Sequence, residues 1–313
     1  MRTIMLAILT ITAPVFIIMA LGYFCVRFNV LTQEQLGGMG LFVMRIGLPM
    51  LVFHAIATSP LAEVMNMVYL KGYALASLLA FFAGCVVARW RGQEKIHAVL
   101  NGLGSSMSNS GFMGYPLLLM AIGAPAGVFF TMNVLIENIL LLPLMFVLID
   151  LARGGSANIW ATLRRILFGL LKNPIILGLL IALVFSVFGL PLPGVAEKVS
   201  GMLATASSPL ALFVIGGGLY GLKIKGGWAD ALVLVLGKLL LFPLLVAVCL
   251  WLFGADRQVL FSGILLASVP MASMYPLFGR EFGYERQTSA AMLATIIVSF
   301  FSLSLVLFFW GLN

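Results

Sequence analysis

Long runs of apolar residues recur along the chain, and short clusters of polar, glycine and proline residues separate them. Each run is roughly 20 residues long, the length that an α-helix needs to cross a bilayer. A soluble domain would not need apolar residues on every face of every helix. The pattern predicts an all-α integral membrane protein with ten transmembrane spans, at residues 3–26, 36–57, 66–88, 98–121, 127–149, 168–190, 196–221, 229–253, 258–279 and 287–311.

The second half of the chain repeats features of the first half at an offset of 160 residues. Three prolines have counterparts at this offset, where about 0.3 would match by chance, and residues 115–117 and 275–277 share the sequence Tyr-Pro-Leu. Each half holds five spans, an odd number, so the second half must be inverted relative to the first. We therefore predict a first repeat at 1–150, a cytoplasmic linker at 151–167 and a second, inverted repeat at 168–313.

Spans four and nine contain polar, glycine- and proline-rich breaks. Irregular backbone at membrane depth survives only against protein or a water-filled cavity. In span four we expect Pro116 to restart the helix, since proline suits the first helical position, and such a half-helix begins with free N–H groups that favour an anion. Close helix packing would explain Gly102 and Gly104, but not an asparagine between two serines before a proline. We predict that the broken helices cross near the midplane and bind a small carboxylate through Asn109, Ser108, Ser110, Gly111, Tyr115, Pro116, Ser268, Pro270, Ser273, Tyr275 and Pro276.

Four ionisable residues, Arg45, His54, Glu137 and Lys238, lie well inside predicted spans, where burying a charge is expensive. Lys238 is a candidate for a fixed positive charge that either offsets the substrate anion or takes the place of a coupling cation. Glu137 could carry a proton or pair with Lys238 or Arg45. For Arg45 and Glu137, a structural ion pair between helices is an equal alternative.

The net charge of +8 reflects membrane topology rather than binding to nucleic acid, because the basic residues concentrate in alternate connections. By the positive-inside rule, the connections that hold Arg27, Arg89 and Arg153 are cytoplasmic, which leaves both termini on the outer side. The three cysteines are dispersed and lack the spacing of metal ligands, so we expect no metal site and no cofactor. We expect a multi-pass protein of the plasma membrane, which in a bacterium is the inner membrane.

Residues 108–117, Ser-Asn-Ser-Gly-Phe-Met-Gly-Tyr-Pro-Leu, resemble the span-four signature of the auxin efflux carrier family, whose bacterial members include malonate and malate permeases. Residues 267–283 are similar to that family's second signature, and Gly47-Leu48-Pro49 fits its second span. The resemblance covers essentially the whole chain. It implies ten helices with both termini outside, a scaffold domain, a transport domain with crossed broken helices, and transport of small organic anions. The family's crossover asparagine matches Asn109, whereas Ser273 and Met274 stand where many relatives carry a second asparagine.

The leading hypothesis is a carrier of small organic anions that works by alternating access and is either secondary active or driven by the membrane potential. The alternative is a sodium-coupled organic anion symporter of the bile-acid transporter type, although Glu137 is the single deep acid that could serve a sodium site. The chain lacks the residue sets of common intramembrane hydrolases, so we expect no enzyme. It also lacks the charge rings and filter sequences of channels. The expected partners are the anion and the lipid bilayer, with no nucleic acid, and a homodimer is a reasonable assembly.

Overall fold

The computed structural model describes residues 2–58, 65–154, 159–221 and 228–311. In these residues the regular structure is helical, apart from one isolated antiparallel bridge between Ser108 and Met271. The α-helices are α1 Arg2–Arg27, α2 Gln33–Phe42, α3 Leu48–Ala57, α4 Met67–Trp90, α5 Lys95–Ser106, α6 Tyr115–Ile122, α7 Ala126–Leu135, α8 Leu142–Ala152, α9 Ile159–Lys172, α10 Pro174–Val187, α11 Gly194–Gly218, α12 Trp228–Leu236, α13 Phe242–Leu252, α14 Arg257–Ser268, α15 Tyr275–Glu281 and α16 Glu285–Gly311.

Six helical segments of the described chain are long and apolar enough to cross a membrane. They are Gln33–Ala57, Met67–Trp90, Ala126–Ala152, Gly194–Gly218, Asp230–Leu252 and Glu285–Trp310. Four shorter apolar helices lie in predicted spans one, four, six and nine, at Thr12–Arg27, Ser110–Ile122, Pro174–Val187 and Arg257–Ser268. The prediction of an all-helical, multi-pass membrane protein is therefore confirmed, while the number of ten spans and the inverted repeat stay predictions.

Four π-helical turns interrupt the long helices, and each comes directly before a residue pair that ends in proline. The turns are Val43–Gly47, Ser110–Gly114, Ile136–Leu141 and Gly237–Leu241, and the prolines are Pro49, Pro116, Pro143 and Pro243. Proline has no N–H, so the carbonyl four residues before it loses its usual donor. In each case the N–H of the residue before the proline bonds to the carbonyl five residues before that residue, as the N–H of Tyr115 does to the carbonyl of Ser110. This i→i−5 bond defines the π-turn.

Helices from the two halves of the sequence pack together in two groups. In the first group, α1 packs on α11, and α3 packs on both α10 and α11. In the second group, α4 packs on α5 and α13, α13 packs on α14, and α16 packs on α12 and α15. The π-turn Ser110–Gly114 in the break of span four contacts α11 of the first group and α14 of the second group, so this break lies at the boundary between the groups.

The chain between the two predicted repeats is more helical than expected. Helix α9 occupies residues 159–167 of the predicted linker 151–167, because apolar residues recur in 159–172 at helical spacing. Predicted span six is divided at Asn173, whose side-chain oxygen accepts a hydrogen bond from the N–H of Ile175 at 3.0 Å. This cap, followed by proline at the first helical position, starts α10 as a separate helix. Gly155 and Ser156 of the predicted linker lie outside the described residues.

A glycine sets the close approach of α11 to α1. A Cβ at Gly216 would lie 1.8 Å from the carbonyl oxygen of Met19, and this backbone cannot move aside as a flexible side chain can. We expect Gly216→Ala to force the helices apart and to destabilise the protein by about 1–3 kcal/mol, measured as a lower melting temperature in detergent. Gly218→Ala is the matched control, since a Cβ there meets nothing within 4 Å. Equal melting temperatures for the two variants would contradict the expectation.

Candidate functional site

The breaks of spans four and nine lie side by side. The N–H of Asn109 donates to the carbonyl of Pro270 at 2.8 Å, next to the bridge between Ser108 and Met271. The side-chain amide of Asn109 donates to Ser273 Oγ, also at 2.8 Å. The two breaks are therefore joined by backbone and side-chain hydrogen bonds, and Ser273 is the partner of Asn109.

The second half of span four begins at Ser110, earlier than the restart predicted at Pro116. Asn109 has a non-helical backbone (φ −78°, ψ 57°), and its carbonyl accepts hydrogen bonds from the N–H groups of Met113 and Gly114. The π-turn then continues directly into α6, so Pro116 lies inside the helix and shifts its hydrogen bonds instead of starting it. The prediction of a restart at Pro116 is wrong because a π-turn can precede the proline without any loss of helical dihedrals.

A cavity of about 820 Å³ lies between the two groups of helices, next to the joined breaks. Asn109 and Ser273 line it from the second group. Arg45, on the π-turn between α2 and α3, and Lys172, at the end of α9, line it from the opposite side, and both are exposed. Its other polar lining residues are Ser108, Ser110, Glu137, Asn138 and Asn173. The cavity thus combines two exposed cations with a wall of neutral hydrogen-bonding groups and one acid.

The first four N–H groups of a helix have no acceptor within that helix. In the helical segment that begins at Ser110, the residues that carry these groups include Gly111 and Phe112, and all three line the cavity. A Cβ on Gly111 would lie 3.0 Å from Leu48 Cδ1, so glycine lets the break approach α3 closely. The cavity therefore contains the positive end of a helix dipole, which favours a bound anion.

Ser108 joins the two buried charges of the site. Lys238 is fully buried, and its Nζ donates to Ser108 Oγ at 3.0 Å and to the carbonyl of Ala267 near the end of α14. The backbone N–H of Ser108 donates to Glu137 Oε1 at 3.3 Å, and Ser110 Oγ donates to Glu137 Oε2 at 2.9 Å. Among the described residues neither Lys238 nor Arg45 forms a direct ion pair with Glu137. The predicted direct pairing is therefore replaced by a bridge through Ser108.

Six of the predicted substrate-binding residues do not line this cavity, and neither does Lys238. Tyr115 and Tyr275 are buried elsewhere, the first against Phe130 and the second with its hydroxyl donating to Asn101 Oδ1 at 3.2 Å. Pro116 and Pro276 are the second residues of α6 and α15. Pro270 contributes the carbonyl that binds Asn109, and Ser268 bonds to α14 and α16 and borders a separate groove. These residues shape the breaks and lie behind the cavity wall.

The sequence prediction missed several polar residues around the cavity. Neither Lys172 nor Asn173 was predicted to belong to the site, and the side-chain amide of Asn173 donates to Asn138 Oδ1 at 3.0 Å. An asparagine followed by proline after an amphipathic stretch is a helix-start signal that could have revealed the division of span six. Tyr73, whose hydroxyl lies 3.4 Å from Ser108 Oγ, carries no signal in the sequence, because its position depends on how α4 packs.

Residues 7–307 match the family described as membrane transport protein. The chain belongs to this family. The match covers nearly all of the sequence and confirms the resemblance to the auxin efflux carrier family. A member of the membrane transport protein family is a transporter and not an enzyme, as predicted.

Three relatives illustrate the range of similar proteins. A Rhizobium meliloti (strain 1021) protein named "Putative malonate transporter" is 28% identical over 91% of this chain and 90% of its own length. The "Uncharacterized transporter YfdV" of Escherichia coli (strain K12) is 23% identical over 92% of each chain. The "Lysosomal cholesterol signaling protein" of Mus musculus is 24% identical over 88% of this chain but only 34% of its own length. Similarity thus extends over about nine-tenths of the length of these two bacterial relatives.

Proposed function

We propose that this chain is a carrier that moves small organic anions, such as malonate, malate or auxin-like carboxylic acids, by alternating access. The observation that carries the proposal is the cavity of about 820 Å³ at the joined breaks, which lies between the two groups of helices. A binding site at such a boundary can be exposed to one side and then the other when one group moves against its partner. We also propose that the two halves of the chain are inverted five-span repeats, each of which contributes helices to both groups.

The chemistry of the cavity supports an anion as the substrate. The helix that begins at Ser110 directs its dipole towards the cavity, the Asn109 amide supplies donors, and Arg45 and Lys172 are exposed cations there. Neutral donors can release an anion more readily than a fixed buried cation in direct contact with it. The name of the Rhizobium meliloti relative makes malonate the first candidate substrate.

The sodium-coupled alternative is less compatible with this site. The Lys238 ammonium lies between Ser108 and the carbonyl of Ala267, so a positive charge already interacts with both breaks. A sodium ion beside it would meet like-charge repulsion in a region of low dielectric constant. We therefore favour a carrier without a sodium site. We keep as proposals the bacterial inner membrane location, the outer position of both termini and a possible homodimer.

The experiment that tests the proposed function is counterflow in proteoliposomes preloaded with unlabelled malonate, malate or indole-3-acetate. We expect labelled substrate added outside to accumulate transiently, because exchange requires a carrier but no assumption about the driving force. Arg45→Gln should raise the KM about tenfold, which corresponds to about 1.4 kcal/mol of binding energy, and should leave the maximal rate similar. Arg286→Gln changes an exposed arginine outside the cavity and is the matched control. Absence of counterflow with all three acids would contradict the proposed substrate class.

A further inference from the structure

Glu137 is the acid that contacts the break of span four. Its two carboxylate oxygens accept hydrogen bonds from Ser108 and Ser110, the residues on either side of Asn109. Glu137 is only 5% exposed, yet it borders the cavity beside Asn109. The proposed anion and this carboxylate therefore share one small, largely desolvated region.

The titratable and charged groups around Glu137 come from several elements. Lys238 reaches it through Ser108, and Tyr69 and Tyr73 face it from α4. Arg45 and Lys172 lie at the opposite side of the cavity, and both are exposed. Exposed charges are screened by water. Lys238 and Glu137 therefore set the net buried charge where the two breaks meet.

The buried charges cancel when the site is empty and both groups are ionised. Entry of a carboxylate adds a negative charge, and an uncompensated charge inside a membrane protein is costly. A proton on Glu137 would restore neutrality, since Lys238 would then balance the substrate. Protonation also turns a group that only accepts hydrogen bonds into a donor that can bond to an anion.

Glu137 is better suited than Lys238 to gain and lose this proton. Lys238 interacts with Ser108 Oγ, with the carbonyl of Ala267 and with the face of the Phe242 ring at 4.7 Å, contacts that all favour the charged ammonium. Glu137 accepts hydrogen bonds only from neutral groups among the described residues, and it borders the space that the substrate would fill. The two buried residues therefore have different roles, one as a permanent charge and the other as an exchangeable one.

We infer that Glu137 takes up a proton when the anion binds, so that the carrier moves one proton with each substrate molecule. The inference rests on the proposed function and identifies its coupling ion. The proton is taken from water on one side, forms an O–H bond with a Glu137 oxygen, and returns to water on the other side. A second negative charge on a dicarboxylate would be balanced by Arg45 in the cavity.

The test uses the full chain in proteoliposomes and whichever of the three acids shows counterflow. Wild-type protein should accumulate the labelled acid when the inside is made alkaline, and a pH-sensitive dye inside should report one proton per molecule. Glu137→Gln imitates the protonated carboxyl, so we expect it to continue counterflow at a different rate. Under the pH gradient it should accumulate at least tenfold less labelled acid than the wild-type protein. Glu34→Gln, at an exposed acid outside the cavity, should behave as wild type.

The outcomes separate the inference from the function on which it rests. Wild-type counterflow without proton movement would overturn the proton site and leave the carrier intact, as would accumulation by Glu137→Gln that still follows the pH gradient. No wild-type counterflow would overturn both. If Glu137→Gln does not fold, the proton stoichiometry of the wild-type protein decides the inference by itself.

Discussion

Lys238→Gln is expected to abolish counterflow and to destabilise the folded protein by about 3–5 kcal/mol, the usual cost of removing one partner from a buried charge pair. Lys238 is fully buried, and its ammonium binds Ser108 Oγ and the carbonyl of Ala267. Glutamine cannot replace the charge, so Glu137 would lose its compensating cation and could reach neutrality only by holding a proton that it no longer exchanges. The two measurements are the melting temperature in detergent and counterflow in proteoliposomes.

The double variant Glu137→Gln/Lys238→Gln distinguishes charge balance from packing. It removes both charges, so it should recover most of the lost stability but no transport, because the cation that balances the anion is absent. Lys198→Gln, at an exposed lysine, should change neither measurement. If Lys238→Gln melts at the wild-type temperature, Glu137 does not depend on Lys238 for its charge, and the bridge through Ser108 has no energetic role.

Much of the fold could be predicted because a bilayer allows few solutions. Backbone groups in hydrocarbon must be satisfied within each segment, so a run of about 20 apolar residues has to be helical. The same rule made the breaks visible, since Asn109 between two serines is incompatible with an undisturbed lipid-facing helix. The hydrogen bonds from Asn109 to Pro270 and Ser273 provide the protein partners that such a break requires.

The local register of the breaks was less predictable, because proline has two opposite effects in a helix. Pro116 can start a helix or can displace the hydrogen bonds of a helix that has already begun, and the second case applies here. The same displacement of helical hydrogen bonds occurs before Pro49, Pro143 and Pro243. The π-turns that result contain Arg45, Glu137 and Lys238, a coincidence that was not predicted. These three residues and Ser110 all lie on π-turns, a type of turn that is frequent at functional sites.

The far side of the cavity depends on contacts between distant parts of the chain. Lys172 and Asn173 are far from the breaks in sequence, and they line the cavity because α10 packs on α3 and brings the end of α9 with it. Arg45 was expected inside a span, but it is exposed at the cavity and so does not need a buried ion partner. Such positions follow from tertiary packing, which no local pattern encodes.

Asn109→Ala is expected to reduce counterflow roughly 100-fold, equivalent to about 2.7 kcal/mol. The side-chain amide borders the cavity and donates to Ser273 Oγ, so alanine removes donors from the site and leaves a hydroxyl in a desolvated region without its partner. The bond from the Asn109 N–H to Pro270 needs no side chain, so the crossover should persist and the melting temperature should change by only a few degrees. Initial rates of counterflow at several substrate concentrations provide the measurement.

Ser273→Ala reveals which role of the Asn109 amide matters. If the amide binds the anion, removal of Ser273 frees its N–H groups for the substrate, and counterflow should fall only about tenfold, or about 1.4 kcal/mol. If instead the bond between the breaks is the important contact, the two alanine variants should be equally impaired. Asn29→Gly, at an exposed turn residue whose φ of 57° suits glycine, should transport as wild type. Full counterflow by Asn109→Ala would assign the anion to another part of the cavity, with Arg45 and Lys172 as the remaining charged candidates.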